Sequence, residues 1–187
     1  FVPSRGLGDV YKRQALIVLC TIILIMSNFL ICLKHGNKYG PNYVNTLEQM
    51  VRRNSTVPFE FICYTEDTTG LNKSIRTMDL TGAYGVQGWW HKPLLFNPNN
   101  PIGAPGDTIL YMDLDVIVFR NIDKLFSFKE GKFCVIRDFN RSANPQLQKF
   151  NSSVVRWQIG QHPQIYNDFI RTAASQVRRF HGDQDWL

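Results

Sequence analysis

The sequence predicts an α/β fold, a mixed and mainly parallel sheet flanked by helices, and three features of it lead there. From Met26 onward, short apolar runs alternate with stretches of helical periodicity. One run, ILYMDLDVIVF, carries a strongly apolar strand straight into two carboxylates. Clusters of glycine, asparagine and proline punctuate the junctions between runs, as turns require.

Taken in order, residues 29–33 form a first strand, and the loop 34–41, rich in glycine and asparagine, leads into a helix over 42–53. Tyr43, Leu47 and Met50 in that helix recur at helical spacing. Residues 59–64 form a second strand ending in the polar turn 65–70, 75–80 a weak strand, and 82–88 a loop. Residues 89–96 read as a short helix whose Pro93 is tolerated in the first turn. Residues 108–112 form a strand, continued after DLD by 116–119. A turn at 121–126, strands at 133–137 and 152–157 and a helix over 163–174 complete the pattern.

A chain of 187 residues suits one domain with a core of ordinary size. With 44% hydrophobic, 13% aromatic and 19% charged residues, the composition is that of a folded protein and excludes a disordered tail. The net charge of +6 would suit a diphosphate, a nucleic acid or an anionic membrane. Its basic residues are scattered, with no stripe interleaved with aromatics, so no nucleic-acid partner is expected. Four cysteines stand far apart without a CxxC pair, and Cys32, Cys63 and Cys134 sit in apolar strand-like runs, which favours a reducing, cytoplasmic compartment. The sequons at Asn54, Asn72, Asn140 and Asn151 carry no weight.

Residues 1–25 are set apart as a non-native or leader segment, and 26–187 as the domain itself. FVPSRGLGDVYKRQ has no pattern of its own and resembles translated adapter sequence. The competing account is a membrane anchor: Arg5, Lys12 and Arg13 precede an apolar run from Ala15 to Leu33, broken by Ser27 and Asn28. The chain ends directly after GDQDWL, so the domain is expected to be incomplete at its C-terminus.

Chemistry concentrates at the DLD. Strand side chains alternate faces, so Asp113 and Asp115 are expected on one side of the strand end. Two such carboxylates repel each other unless a cation offsets them, and hard oxygen ligands suit Mn²⁺ or Mg²⁺ bridging to phosphates. DxD alone is common in solvated turns and caps; its setting between apolar strand segments is what raises it.

The ordered set KHGNKYGPNYVNTL, WWHKPLLF, GDTILYMDLDVIVFRNIDKLF, FNSSVV and HGDQDWL resembles glycosyltransferase family 8 and its bacterial relatives, of the GT-A fold, with a Rossmann-like nucleotide-binding half. The resemblance runs from Asn28 to Leu187 and implies a nucleoside-diphosphate sugar donor, most often a uridine one, and retention of anomeric configuration. It implies that Asp113 and Asp115 hold the metal, that residues 34–39 wall the nucleotide pocket, and that Tyr39 stacks on the base; Tyr39 could equally be a plain aromatic. Thr65, Glu66 and Asp67 would approach base or ribose, or form a simple polar turn. Lys92 would lie near the diphosphate, unless it is one more surface lysine. Trp89 and Trp90 read as packing, and His91 as a polar surface residue. Asn151 and Ser152 match a sugar-contacting N-S-G turn in which Ser153 replaces glycine. Asp183 and Gln184 would flank the anomeric centre as catalytic residues, where a helix start also explains the pattern. The family's third metal ligand, a histidine further along, is not in this sequence. The acceptor, a carbohydrate, lipid or protein, is not specified, and membrane association stays open. A sugar nucleotidyltransferase, a non-catalytic nucleotide-sugar-binding module and a membrane-anchored structural protein are the rival classes.

Overall fold

A computed structural model describes residues 27–81, 85–138 and 150–187. The segment 1–25, Met26, the site of Asn140 and part of the 82–88 loop lie outside the described residues. Among the described residues six strands form one sheet: β1 (Asn28–Lys34), β2 (Glu60–Thr65), β3 (Arg76–Asp79), β4 (Thr108–Met112), β5 (Cys134–Arg137) and β6 (Phe150–Gln158), in the order β3-β2-β1-β4-β6-β5. β1 pairs in parallel with β2 and β4, β2 pairs in parallel with β3, and β6 runs antiparallel to both β4 and β5. The mainly parallel α/β sheet is therefore as expected. From β1 the chain builds outward to β2 and β3, then returns to lay β4 on the other side of β1. That reversal leaves a crevice beyond the carboxyl ends of β1 and β4, where open α/β sheets bind ligands.

Both faces of the sheet are covered, because alternate residues of each strand belong to different cores. Leu30 and Cys32 of β1 with Leu110 and Met112 of β4 join Val44, Leu47 and Val51 of helix α1 (Pro41–Arg53) and Phe126 of α2 (Asp123–Ser127). Phe29, Ile31 and Leu33 with Ile109 and Tyr111 join Leu95, Phe96 and Trp157 on the opposite face. Pro41 opens α1 at a position where its missing N–H costs nothing, and Arg52 and Arg53 close it against the helix dipole. The stripe that α1 buries is Val44, Leu47 and Val51; Tyr43, expected inside, is 43% exposed.

Four local expectations are corrected. Residues 116–119 do not continue β4: a turn closed by Val116 N–H to Asp113 C=O ends the strand, and Ile117 and Phe119 are exposed. The segment 121–126 contains the short helix α2, held by Asp123, whose carboxylate accepts from Ser55, Thr56, Val57 and Asn121. The helix after Gln87 is a 3₁₀-helix over Gly88–Phe96 with Pro93 in its interior. Pro93 has no N–H to give an α-type ladder, which fits the tighter winding seen there. Helix α3 spans Pro163–Arg179, past Ala174, since no helix breaker intervenes.

Candidate functional site

The strand parity that splits the cores also builds the site. Ile109, Tyr111 and Asp113 share one face of the β4 line, the face covered by the 3₁₀-helix, and that helix turns Lys92 inward. Lys92 Nζ lies 3.1 Å from Asp113 Oδ1 and 3.2 Å from Asp183 Oδ2. It also donates to Ser152 Oγ at 3.1 Å and to Ser152 C=O at 3.3 Å. Lys92 is therefore not a surface lysine: it is 6% exposed, an ammonium buried among oxygens that offset its desolvation.

Asp113 is held twice over. Its amide donates to Ser153 C=O at 2.9 Å, and its Oδ1 accepts the hydroxyl of Tyr111. Burial first, and the neighbouring Asp113 charge second, push the Tyr111 phenol well above its usual pKa, so it stays a neutral donor. Asp115 follows a different route from the one strand alternation predicts. The turn after Met112 swings it toward the loop that precedes α1, where its Oδ2 accepts the Tyr39 hydroxyl at 3.0 Å. Both carboxylates nonetheless line one cavity of about 310 Å³.

Leu33, His35, Lys38, Tyr39, Trp89, Lys92, Tyr111, Ser152, Ser153, Asp183 and Gln184 line the same cavity. Seven of the eight residues singled out in the sequence thus converge there. The eighth, Asn151, stands off, its Oδ1 accepting the Ser153 amide at 2.8 Å. Asn151 and Ser152 lie in β6 and not in a turn, and Asn151 pairs with Ile136 of β5. Asp183 opens the four-residue helix α4 (Asp183–Trp186) and is 5% exposed. Its Oδ2, although close to Lys92, has no well-aligned hydrogen bond among the described residues and so keeps acceptor capacity. Gln184 Oε1 accepts the Ser152 amide at 3.3 Å, which leaves its amide group for a ligand. Asp185 is exposed and outside the lining.

A second cavity of about 840 Å³ shares His35, Lys38, Gly88 and Trp89 with the first and adds Glu66. The loops after β1 and β2 are joined there, since Glu66 Oε1 accepts the amide of Gly36, a residue whose φ of +58° favours glycine. Lys34 Nζ reaches Asp67 C=O at 3.4 Å. His91, expected at the surface, is buried with Nδ1 2.8 Å from Gly88 C=O, and its ring centroid lies 5.5 Å from that of His35. Burial, followed by the fields of His91 and the nearby lysines, lowers the His35 pKa. Trp90 stacks on Phe169 in the core, whereas Trp89 is half exposed at the cavity mouth.

Tyr111 had no role of its own in the sequence reading, although its spacing of two from Asp113 on a strand was a usable signal. Ser153, noted only as the residue that replaces glycine, lines the cavity itself.

Among the described residues no group of three or more His, Cys, Asp and Glu side chains could hold a metal ion. Asp113 and Asp115 are two carboxylates lining one cavity, hard oxygen donors of the kind that would suit Mg²⁺ or Mn²⁺.

No protein-family model matches the chain, and no curated protein does. Solved structures do. The apo form of the glycosyltransferase GlyE of Streptococcus pneumoniae superposes with a TM-score of 0.57 at 14% identity, over 87% of this chain and 42% of that one. A second crystal structure of GlyE gives 0.59 at 15% identity, with the same coverage. The fold is that of these glycosyltransferases. The chain spans about two-fifths of the length of the GlyE chains it matches. No helix of the described residues is long and apolar enough to cross a membrane.

Proposed function

We propose that this chain carries the donor-binding half of a glycosyltransferase of the family 8 type, which moves a sugar from a nucleoside diphosphate, by preference UDP, to an acceptor hydroxyl. The observation that supports it most is the convergence of Lys92, Asp113, Asp115, Ser152, Asp183 and Gln184 on one cavity at the carboxyl ends of β1 and β4. That is where a diphosphate and its sugar would meet both charge signs.

Asp113 and Asp115 would hold Mn²⁺ or Mg²⁺, which when bound supplies Lewis-acid stabilisation of the leaving diphosphate. The chain's own groups do the rest. Lys92 offers a buried ammonium to phosphate oxygens. Tyr39 and the loops after β1 and β2 frame space for the nucleoside. Asp183 Oδ2 accepts from sugar hydroxyls, and Gln184 faces the anomeric carbon. In the transfer, the bond from the anomeric carbon to the diphosphate oxygen breaks and one to the acceptor oxygen forms on the same face. The acceptor proton leaves with a diphosphate oxygen. Asp183 and Gln184 stabilise the positive charge that develops on the ring. NMR of the product settles the stereochemistry: retained configuration is expected, and inversion removes the same-face course.

Binding is tested by thermal melting with UDP, with and without Mn²⁺. Ligand at 100 times its Kd stabilises by about 2.7 kcal/mol, or about 5–10 °C for a domain of this size. The shift is expected only with Mn²⁺ present and is expected to vanish in Asp113→Asn. An equal shift without metal, or in the variant, counts against the assignment.

A further inference from the structure

We infer that the Lys92 ammonium competes with a divalent cation for Asp113, so that the cation and the diphosphate bind cooperatively, with Lys92 as the residue that couples them. This rests on the donor-site assignment above and deepens it.

Both oxygens of Asp113 are engaged by the chain's own groups. Oδ1 accepts the Tyr111 hydroxyl and lies 3.1 Å from Lys92 Nζ, and Oδ2 lies 3.3 Å from the same nitrogen. Lys92 cannot simply retreat to water. Its side chain is 7% exposed, the Tyr111 ring lies 5.1 Å away, Ser152 accepts from its ammonium, and the Asp183 carboxylate lies 3.2 Å off as a counter-charge. Asp115, by contrast, accepts one hydrogen bond, from Tyr39, at an exposed position. A divalent cation approaching this pair meets one available carboxylate and a second whose charge is already offset by a fixed ammonium. Like charges that share a carboxylate repel each other.

A diphosphate changes the balance. Its negative oxygens can take hydrogen bonds from the ammonium and ligate the cation at once, which turns a repulsive pair into two counter-ions of one group. Metal alone is then a weak ligand, nucleotide alone is a weak ligand, and together they are strong. Linkage requires that each raise the affinity of the other by the same factor.

The test measures Mn²⁺ binding by electron paramagnetic resonance of the free ion, with and without UDP. In the unaltered chain UDP is expected to tighten Mn²⁺ by about tenfold or more, within the usual range of coupling between sites. Lys92→Met is expected to bind Mn²⁺ alone about tenfold more tightly than the unaltered chain, and to show a UDP effect smaller by the same factor, since direct ligation of the cation by the diphosphate remains. Removing only the lysine leaves Asp113 and Asp183 uncompensated and destabilises the fold, so the paired variant Lys92→Met with Asp183→Asn is the decisive one. It removes one charge of each sign, leaves the net charge of the site unchanged, and spares Asp113. Tighter Mn²⁺ binding in it supports the inference, because a general change of potential is ruled out. If that variant binds Mn²⁺ no more tightly than the unaltered chain, while the latter still binds Mn²⁺ with UDP, the coupling role of Lys92 falls and the donor site stands. If no form binds Mn²⁺ even with UDP, both fall.

Discussion

Tyr111 and Asp113 stand two residues apart on the β4 line, and the hydroxyl of one meets the carboxylate of the other. A donor behind a metal-binding carboxylate fixes its orientation, and losing such a partner typically costs about 10–100-fold in metal affinity. Tyr111→Phe removes that hydroxyl and keeps the ring packed under Lys92. It is expected to weaken Mn²⁺ binding in the presence of UDP by about tenfold. The melting temperature without ligands should change little, and an unchanged Mn²⁺ affinity would restrict Tyr111 to packing. The same spacing explains what was legible here. Asp113, Asp115 and Lys92 were visible as residue types in an apolar context, but which partners they take was not. Lys92 reaches Asp113 across 21 positions and Ser152 across 60.

At the scale of elements, α1 is pinned by one buried carboxylate. Glu48 accepts from Arg52 at 2.6 Å, from Ser74 at 2.7 Å and from Asn72 at 3.0 Å, tying the helix to the approach to β3. Burial raises its pKa, but the bonds from Arg52, Ser74 and Asn72 outweigh that and hold it below the ordinary value of 4.5. A depressed carboxylate contributes stability that is fully present above the unfolded pKa and is lost as pH falls through the folded one. The urea midpoint should therefore fall between about pH 5 and pH 3 by more in the unaltered chain than in Glu48→Gln, which has no such proton to bind. Parallel pH profiles for the two would contradict this role. The elements misread in sequence share one cause. Strand 116–119, the winding of the short helix at 89–96 and the turn at 121–126 belong to apolar or mixed segments whose state is decided by the 113–116 turn, the interior Pro93, and the Asp123 clamp on 55–57.

For the whole molecule, one sheet separates two cores, so damage on either face should reach the other. Leu47, fully buried against one face, and Phe96, stacked on Trp157 with centroids 4.3 Å apart on the other, make the comparison. Leu47→Ala is expected to cost about 2–5 kcal/mol and Phe96→Ala about 3–5 kcal/mol. Combined, they should add to within about 0.5 kcal/mol, since no partner is shared. Each single variant should show one urea transition by both tryptophan fluorescence and far-ultraviolet circular dichroism. Transitions that separate after Leu47→Ala would show that the faces unfold independently. Period-two and period-3.6 patterning is a local property written in neighbouring residues, so the sequence by itself determined the α/β class, the strand that ends at the DLD, and the identities of most cavity-lining groups. Strand order, the turn that sends Asp115 to Tyr39, and the burial of Lys92 between Asp113 and Asp183 were decided only by tertiary structure. They depend on contacts between segments far apart in the chain, and no local pattern encodes which distant charges will share one desolvated space.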